Sequence, residues 1–254
     1  LMVAAAVSLF DLNPGFNDVE AFPDAVQVKE AFFLLDKEFS FGVAAPTEIV
    51  IDGNSDSPQV KDAITRLQAS LASDPAFIGR ATVQANPAGD LTLVSTGVGG
   101  GTASDEAVSA VRKLRKEYLP AAFEGVSAEV YVTGFTAFNI DFFDIVDQYT
   151  PIVFTVVLGL SFILLTIVFR SIVVPIKAIL MNLLSVGAAY GLLVLVFQKG
   201  VAIDILGFQR SEIIDAWIPL FLFTVLFGLS MDYHVFMLSR IKENFDERFS
   251  SDVI

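Results

Sequence analysis

The chain holds no cysteine, a single histidine and a single tryptophan, and only 18% of its 254 residues are charged. Without cysteine there can be no disulfide and no thiolate metal site. So little charge, set against 54% hydrophobic residues and a mean hydropathy of +0.64, excludes an ordinary soluble domain with one core. Basic residues are scarce too, with 16 Lys and Arg against 29 Asp and Glu. Residues 11–148 hold 21 acidic and 9 basic side chains, a net of −12, while the remainder holds 8 against 7. An acidic surface of this kind repels nucleic acid and anionic headgroups, so neither is expected to bind this region.

What is present is long apolar runs. Residues 151–169, 172–197 and 217–239 each reach the length of about 20 apolar residues that a membrane helix needs. The opening "LMVAAAVSLF" is too short to cross; no basic segment precedes it and no small-residue cleavage site follows. Residues 1–10 are therefore expected to be the end of a membrane helix that begins outside the chain. Arg170 and Lys177 lie at or near the turn between the first two spans, and Arg240, Lys242 and Arg248 follow the third. The opposite side offers Lys199 and Arg210. Positive residues stay on the cytoplasmic side, so residues 11–150 are expected to face outward, residues 151–239 to form three spans and residues 240–254 a cytoplasmic segment.

Within the outer region the hydrophobic period switches between 2 and 3.6. "TEIVID" reads as a strand, followed by a helix with Ser57 as N-cap, Pro58 in its first turn and Val60, Ile64, Leu67 and Leu71 on one face. "RATVQA" and "DLTLVST" are strands around the turn "NPAG". A second helix is expected from about Thr102 to Leu119 with Val108, Val111, Leu114 and Tyr118 inward, and "SAEVYVTG" is the last strand. The order βαββαβ is that of a ferredoxin-like, four-stranded antiparallel sheet with two helices on one face. The fold class expected is thus an α+β membrane protein, a ferredoxin-like outer domain followed by a transmembrane helical bundle. The glycines of "STGVGGGTASDE" lack the lysine of a phosphate loop and read as a structural turn. In "FNIDFFDIVDQY", Asp141, Asp144 and Asp147 read as a solvated face and Phe138, Phe142, Ile145 and Tyr149 as the buried stripe of a connecting helix.

The chemistry is expected in "FTVLFGLSMDYHVFMLSR". Asp232 lies about two thirds of the way through the third span, where a carboxylate costs on the order of 2.5–3.5 kcal/mol and so faces a bundle interior or a water-filled cavity. Desolvation there disfavours the charged form, which suits an acid that takes a proton from one side and loses it to the other. Gly228, one turn earlier on the same face, leaves room for close approach or water. Tyr233 is about 100° around the helix and would bond a neighbouring span; His234, about 200° away, reads as a packing or interhelical group, with proton transfer as its alternative. In the second span Asn182, Ser185 and Ala189 share a face, and Gly187 with Gly191 forms a small-xxx-small pair that lets helices pack closely; the Asn and Ser can bond across such a contact, though plain helix packing is enough to account for all of them.

The segment "FGLSMDYHVFMLSRIKE" closely resembles the Asp-Tyr motif in the C-terminal half of MMPL-type transporters of the resistance-nodulation-division (RND) superfamily. "FRSIVVPIKAILMNLLSVGAAYGLLVLVF" and "IDAWIPLFLF" are similar to the flanking spans, and "DLNPGFNDVEAFPDAVQVKEAFFLLDKEF" to the start of the second outer porter domain. The resemblance implies a twelve-span pump of two similar halves that exports lipids or other hydrophobic molecules on proton flow through Asp-Tyr pairs. Asp232 and Tyr233 match one relay pair and Gly228 its small neighbour; His234 stands where the family more often has an acid. It implies a transporter and not an enzyme, in the cytoplasmic membrane, with no cofactor beyond protons as coupling ion. Implied partners are a lipid substrate, membrane lipids and the N-terminal half of the same protein; the sequence is also compatible with a homo-oligomer. A sterol- or lipid-sensing relative that does not transport, or a protein-translocation relative, is the alternative. An intramembrane aspartyl protease needs two buried aspartates in contexts that "MDY" and "GLSMD" do not match.

Overall fold

The structure, a computed structural model, describes all residues except 1, 18, 20, 21, 24, 40–44, 208, 209, 212 and 252–254, and the side chains at 36, 39, 204, 206, 232, 234, 235, 238, 242 and 245–251. The described elements run α1 (Met2–Val7, extended by a 3-10 turn, Ser8–Asp11), β1 (Pro14–Gly15), α2 (Gln27–Phe39), β2 (Thr47–Asp52), α3 (Pro58–Ser73), β3 (Phe77–Ala85), β4 (Leu91–Val98) and α4 (Asp105–Lys113, continued by a π turn, Leu114–Tyr118). After these come α5 (Leu119–Ala122), β5 (Glu129–Thr133), α6 (Phe135–Phe169), α7 (Val173–Leu193, continued by a π turn, Val194–Gln198), α8 (Ile203–Leu206), β6 (Ile214–Asp215) and α9 (Trp217–Ser251). They divide into two compact units, Phe16–Asp144 and Leu1–Gly15 with Ile145–Ile254.

The first unit is built on a sheet with strand order β3-β4-β2-β5, every neighbouring pair antiparallel. In β2, Thr47, Ile49 and Ile51 are buried while Glu48, Val50 and Asp52 alternate to the other face, as a half-buried strand requires. The inward side chains meet Val60, Ile64, Leu67 and Leu71 of α3 and Val111 and Leu114 of the α4 segment. Fully burying side chains of this size stabilises by about 1.5–3 kcal/mol each. The turn "NPAG" closes on Gly89, at φ +74°, and Asn86 Oδ1 accepts from the N–H groups of Asp90 and Leu91, both at 3.1 Å. The edge strand β3 is interrupted by a bulge between Ile78 and Thr82, which blunts it against pairing with other chains.

Several sequence expectations are adjusted, while the turn expected at the glycine loop is met. Ser57 sits at the start of α3 without a side-chain capping bond, whereas Ser104 caps α4 by accepting from the Ala107 N–H at 3.2 Å, so that helix starts at Asp105 and not near Thr102. The glycine loop is a turn: Gly100 has φ +78°, and a Cβ there would meet Ser104 Oγ at 2.6 Å. In α6 the residues that enter the core are Thr136, Ala137, Asn139 and Ile140, while Phe138, Ile145 and Tyr149 are exposed. Small Ala137 lets the helix approach closely, and the aromatics gather instead on Phe16, whose ring centroid lies 5.2 Å from Phe142 and 5.1 Å from Phe143. Asp141 and Asp144 are not merely solvated. Arg112 grips Asp144 with bonds of 2.6 and 3.2 Å, and Arg115 pairs with Asp141 while donating to the Val132 carbonyl at 3.1 Å.

The second unit holds the apolar helices. α6 has 35 residues, about 52 Å at 1.5 Å each, and its aspartates lie in the first part; the stretch from Thr150 to its end carries no charge and alone covers about 30 Å of hydrocarbon. Pro151 does not end the helix. α7 with its π turn is also long and apolar enough to cross, and the apolar part of α9 is described over Trp217–Met231. α9 does not stop at Ser239 but continues to Ser251. Beside the membrane helices, Asp11 pairs with Lys199, β1 pairs in parallel with β6, and Arg210 Nε donates to the Gln198 carbonyl at 2.8 Å. These bonds bring the end of the α1 segment, the end of α7 and the start of α9 to one side.

In the first unit Asp74 accepts from Lys113 Nζ at 2.8 Å, Tyr118 Oη at 2.6 Å and the Ala76 N–H at 3.0 Å. These donors hold its carboxyl down from 3.8 to about 2, the Lys113 bond being the largest cause. A depressed carboxyl contributes stability that is present above its ordinary value and is lost as pH falls toward about 2. Asp74→Asn is expected to lower the stability of this unit by about 1–3 kcal/mol at neutral pH and to remove part of the loss between pH 4 and pH 2, read by denaturant melts across pH.

Candidate functional site

α7 and α9 pack against each other through one stripe on each. Tyr190 Oη donates to the Pro219 carbonyl near the start of α9, and Ser230 Oγ donates to Asn182 Oδ1 at 2.6 Å further along. The lower-numbered partner on α7 meets the higher-numbered one on α9, so the helices run antiparallel. Between the two bonds lie buried Val186, Phe223 and Phe227, with Phe154 of α6 stacked on Phe223 at 3.8 Å between centroids. Asn182 is 0% exposed, and its Nδ2 lies 4.0 Å from Met231 Sδ. An amide at such a position is tolerated because its oxygen is bonded across the interface.

The sequence-derived site residues fall into distinct groups. Asn182 does join α7 to α9, two residues before Asp232. Ser185 does not: its hydroxyl turns back to the Met181 carbonyl at 3.0 Å, one turn earlier on its own helix. Gly228, expected to leave room for close approach or water, has that room among the described residues; a Cβ built there meets nothing within 4 Å. The reason is rotation. α9 meets α7 through Phe223, Phe227 and Ser230, and Gly228 is well round the helix from that line, beside exposed Val225 and Leu229. Asp232 and His234 belong to α9, but their side chains lie outside the described residues. Tyr233 is 79% exposed, so the neighbouring-span bond expected of it is not made to α7.

The glycine pair has a partner that the sequence did not name. A Cβ on Gly191 would collide with the Ala5 carbonyl, and one on Gly187 would stand 3.4 Å from Ala6 Cβ, so α1 lies directly on the small-residue face of α7. Tyr190 and Ser230 were also missed. Following the Asn182 stripe by eight residues reaches Tyr190, and Ser230 sits inside the quoted Asp-Tyr segment. No group of three or more His, Cys, Asp or Glu side chains able to hold a metal occurs among the described residues.

The MMPL family model matches residues 41–252. The chain belongs to the MMPL family. This is a family of membrane transporters, in keeping with the two helices long and apolar enough to cross a membrane among the described residues. Among curated relatives, the MMPL chain is 32% identical over 254 residues to the "Mycolic acid-containing lipids exporter MmpL11" of Mycolicibacterium smegmatis, with 96% of this chain and 26% of that protein covered. It is 46% identical over 119 residues to the "Heme uptake protein MmpL11" of Mycobacterium tuberculosis strain H37Rv, covering 47% of this chain and 12% of that one. It is 25% identical over 234 residues to the "Apo-petrobactin exporter" of Bacillus anthracis, covering 90% and 30%. The chain spans under a third of the length of each of these proteins.

The contact between α1 and α7 of this MMPL chain is testable by size alone. Gly191→Val is expected to separate the two helices and to cost about 1–3 kcal/mol, seen as a lowered midpoint of thermal unfolding in detergent, with Gly159→Val, where a Cβ meets nothing within 4 Å, as the tolerated control.

Proposed function

We propose that this chain is part of a proton-driven RND-type exporter of lipids or other hydrophobic molecules, and that Asp232 with Tyr233 takes up and releases the coupling proton. In this reading residues 11–150 are its ferredoxin-like porter domain, outside the cytoplasmic membrane. Residues 1–10 end one membrane helix, residues 151–239 supply three more and residues 240–254 are cytoplasmic. Support for the porter domain comes from the βαββαβ order and the antiparallel strand order β3-β4-β2-β5. Support for a hydrophobic cargo comes from a relative whose name describes a lipid exporter.

The observation that carries the relay is the open side of α9. Gly228 precedes Asp232 by one turn, a Cβ there meets nothing within 4 Å among the described residues, and neighbouring Tyr233 is exposed. A carboxylate in hydrocarbon costs on the order of 2.5–3.5 kcal/mol, so this side of α9 needs a protein or water-lined surface against it. The other half of the same protein, carrying a second Asp-Tyr pair, supplies that surface. A proton moved down 100 mV supplies about 2.3 kcal/mol, so one or a few per cycle suffice to rock the two halves.

In the complete protein Asp232→Asn is expected to abolish export, with the amount of protein in the membrane unchanged. Lipid profiling of cells that carry only the variant reads the result, and export at the unaltered rate would overturn the relay assignment.

A further inference from the structure

Ser230 and Asp232 are two residues apart, hence about 200° apart around α9. The bond that ties Ser230 to α7 therefore also decides on which side of α9 the Asp232 position comes to lie. Most of the α7–α9 contact cannot do this. Val186, Phe223 and Phe227 form an apolar interface, and apolar side chains repack at small cost when a helix turns about its axis. A directional bond cannot follow such a turn. Asn182 is wholly buried and its oxygen is 2.6 Å from Ser230 Oγ; a rotation of one residue, about 100°, would leave a buried amide without its oxygen's partner in an apolar surrounding. Single buried polar contacts fix register in helix pairs for this reason. The second bond, donated by the Tyr190 hydroxyl to the Pro219 carbonyl, ends on a main-chain oxygen and so holds the depth of α9 near its start, but it says little about rotation further along.

We infer that Asn182 is a positioning residue for proton transfer: through Ser230 it sets the rotation of α9, keeping the Asp232 position on the side opposite α7 that Gly228 shares. The inference rests on the relay reading above for its functional consequence, and on the geometry of α7 and α9 for its structural one.

The test uses the complete protein with all cysteines outside this chain removed; this chain has none. A single cysteine at Leu229, on the open side of α9, reports rotation through its rate of reaction with a membrane-permeant maleimide. Asn182→Leu keeps the branched shape and removes the bond. It is expected to change the labelling rate several-fold, to lower export about tenfold or more and to shift its pH profile. The exchanged pair, Asn182→Ser with Ser230→Asn, rebuilds the bond from the other side and is expected to restore labelling rate, export and pH profile together. An unaltered labelling rate and pH profile in Asn182→Leu would overturn the inference, as would failure of the exchanged pair to recover either in protein present at normal amount. If instead Asp232→Asn exports normally, the relay reading fails while the labelling rates still decide the rotation.

Discussion

A polar group inside a bilayer has no water to turn to, and that constraint orders the membrane unit. Its hydroxyls are satisfied locally wherever they can reach a carbonyl one turn back. Thr155 donates to Pro151, Thr166 to Phe162 and Ser185 to Met181, at 2.7, 2.7 and 3.0 Å. Pro151 leaves the carbonyl one turn before it without its usual N–H partner, near the uncharged stretch's outer end. Groups that cannot close on their own helix must bond between helices. Those bonds, Asn182 with Ser230 and Tyr190 with the Pro219 carbonyl, fix the pairing of α7 with α9. Packing then follows: Gly187 and Gly191 let α1 come against the neighbouring face of α7, and the Asp11–Lys199 pair closes the same helices where they emerge.

The sheet unit follows a different rule, since it is rich in charge and fastens its helices with ion pairs. Two arginines on successive turns of the α4 segment hold two aspartates of α6, and one of them also takes a carbonyl from the edge strand β5. The π turn Leu114–Tyr118 lies between these contacts and the Asp74 cluster, so Arg115 and Tyr118 reach different partners from neighbouring turns. Exposed ion pairs of this kind contribute little individually. Their importance is geometric, because they fix the first turns of α6, where Thr136, Ala137, Asn139 and Ile140 enter the core.

Much of the sheet unit's fold was legible in the sequence because amphipathic periods there have only one apolar face to bury. Val60, Ile64, Leu67 and Leu71 are all buried, and the segments read as strands at β2 and β5 are strands whose side chains alternate in burial. The reading of α6 failed where that condition fails. Its start is apolar on more than one side, so the 3.6-residue period could not tell Phe138 from Ile140. The same ambiguity governs the membrane helices. Hydropathy finds spans, but a helix apolar all round says nothing about which side meets which neighbour. Gly228 was read as room for close approach or water, and among the described residues nothing fills that room. Asn182 was read as able to bond across a helix contact, and the structure supplies Ser230 as its partner.

That distinction bears on the candidate site as a whole. A relay residue needs two things from its helix, a polar or hydrated surface opposite it and a fixed rotation that keeps it there. On the relay reading the second requirement falls to the buried amide of Asn182, bonded two residues before Asp232, and the first to a surface beyond the described residues. The division is economical. If α9 met α7 through the Gly228 line, a carboxylate one turn on would have Val186 and its apolar neighbours for company and no polar partner among them. Turning that line away while pinning the opposite line with an amide separates the side of α9 that packs on α7 from the side that carries the Asp232 position.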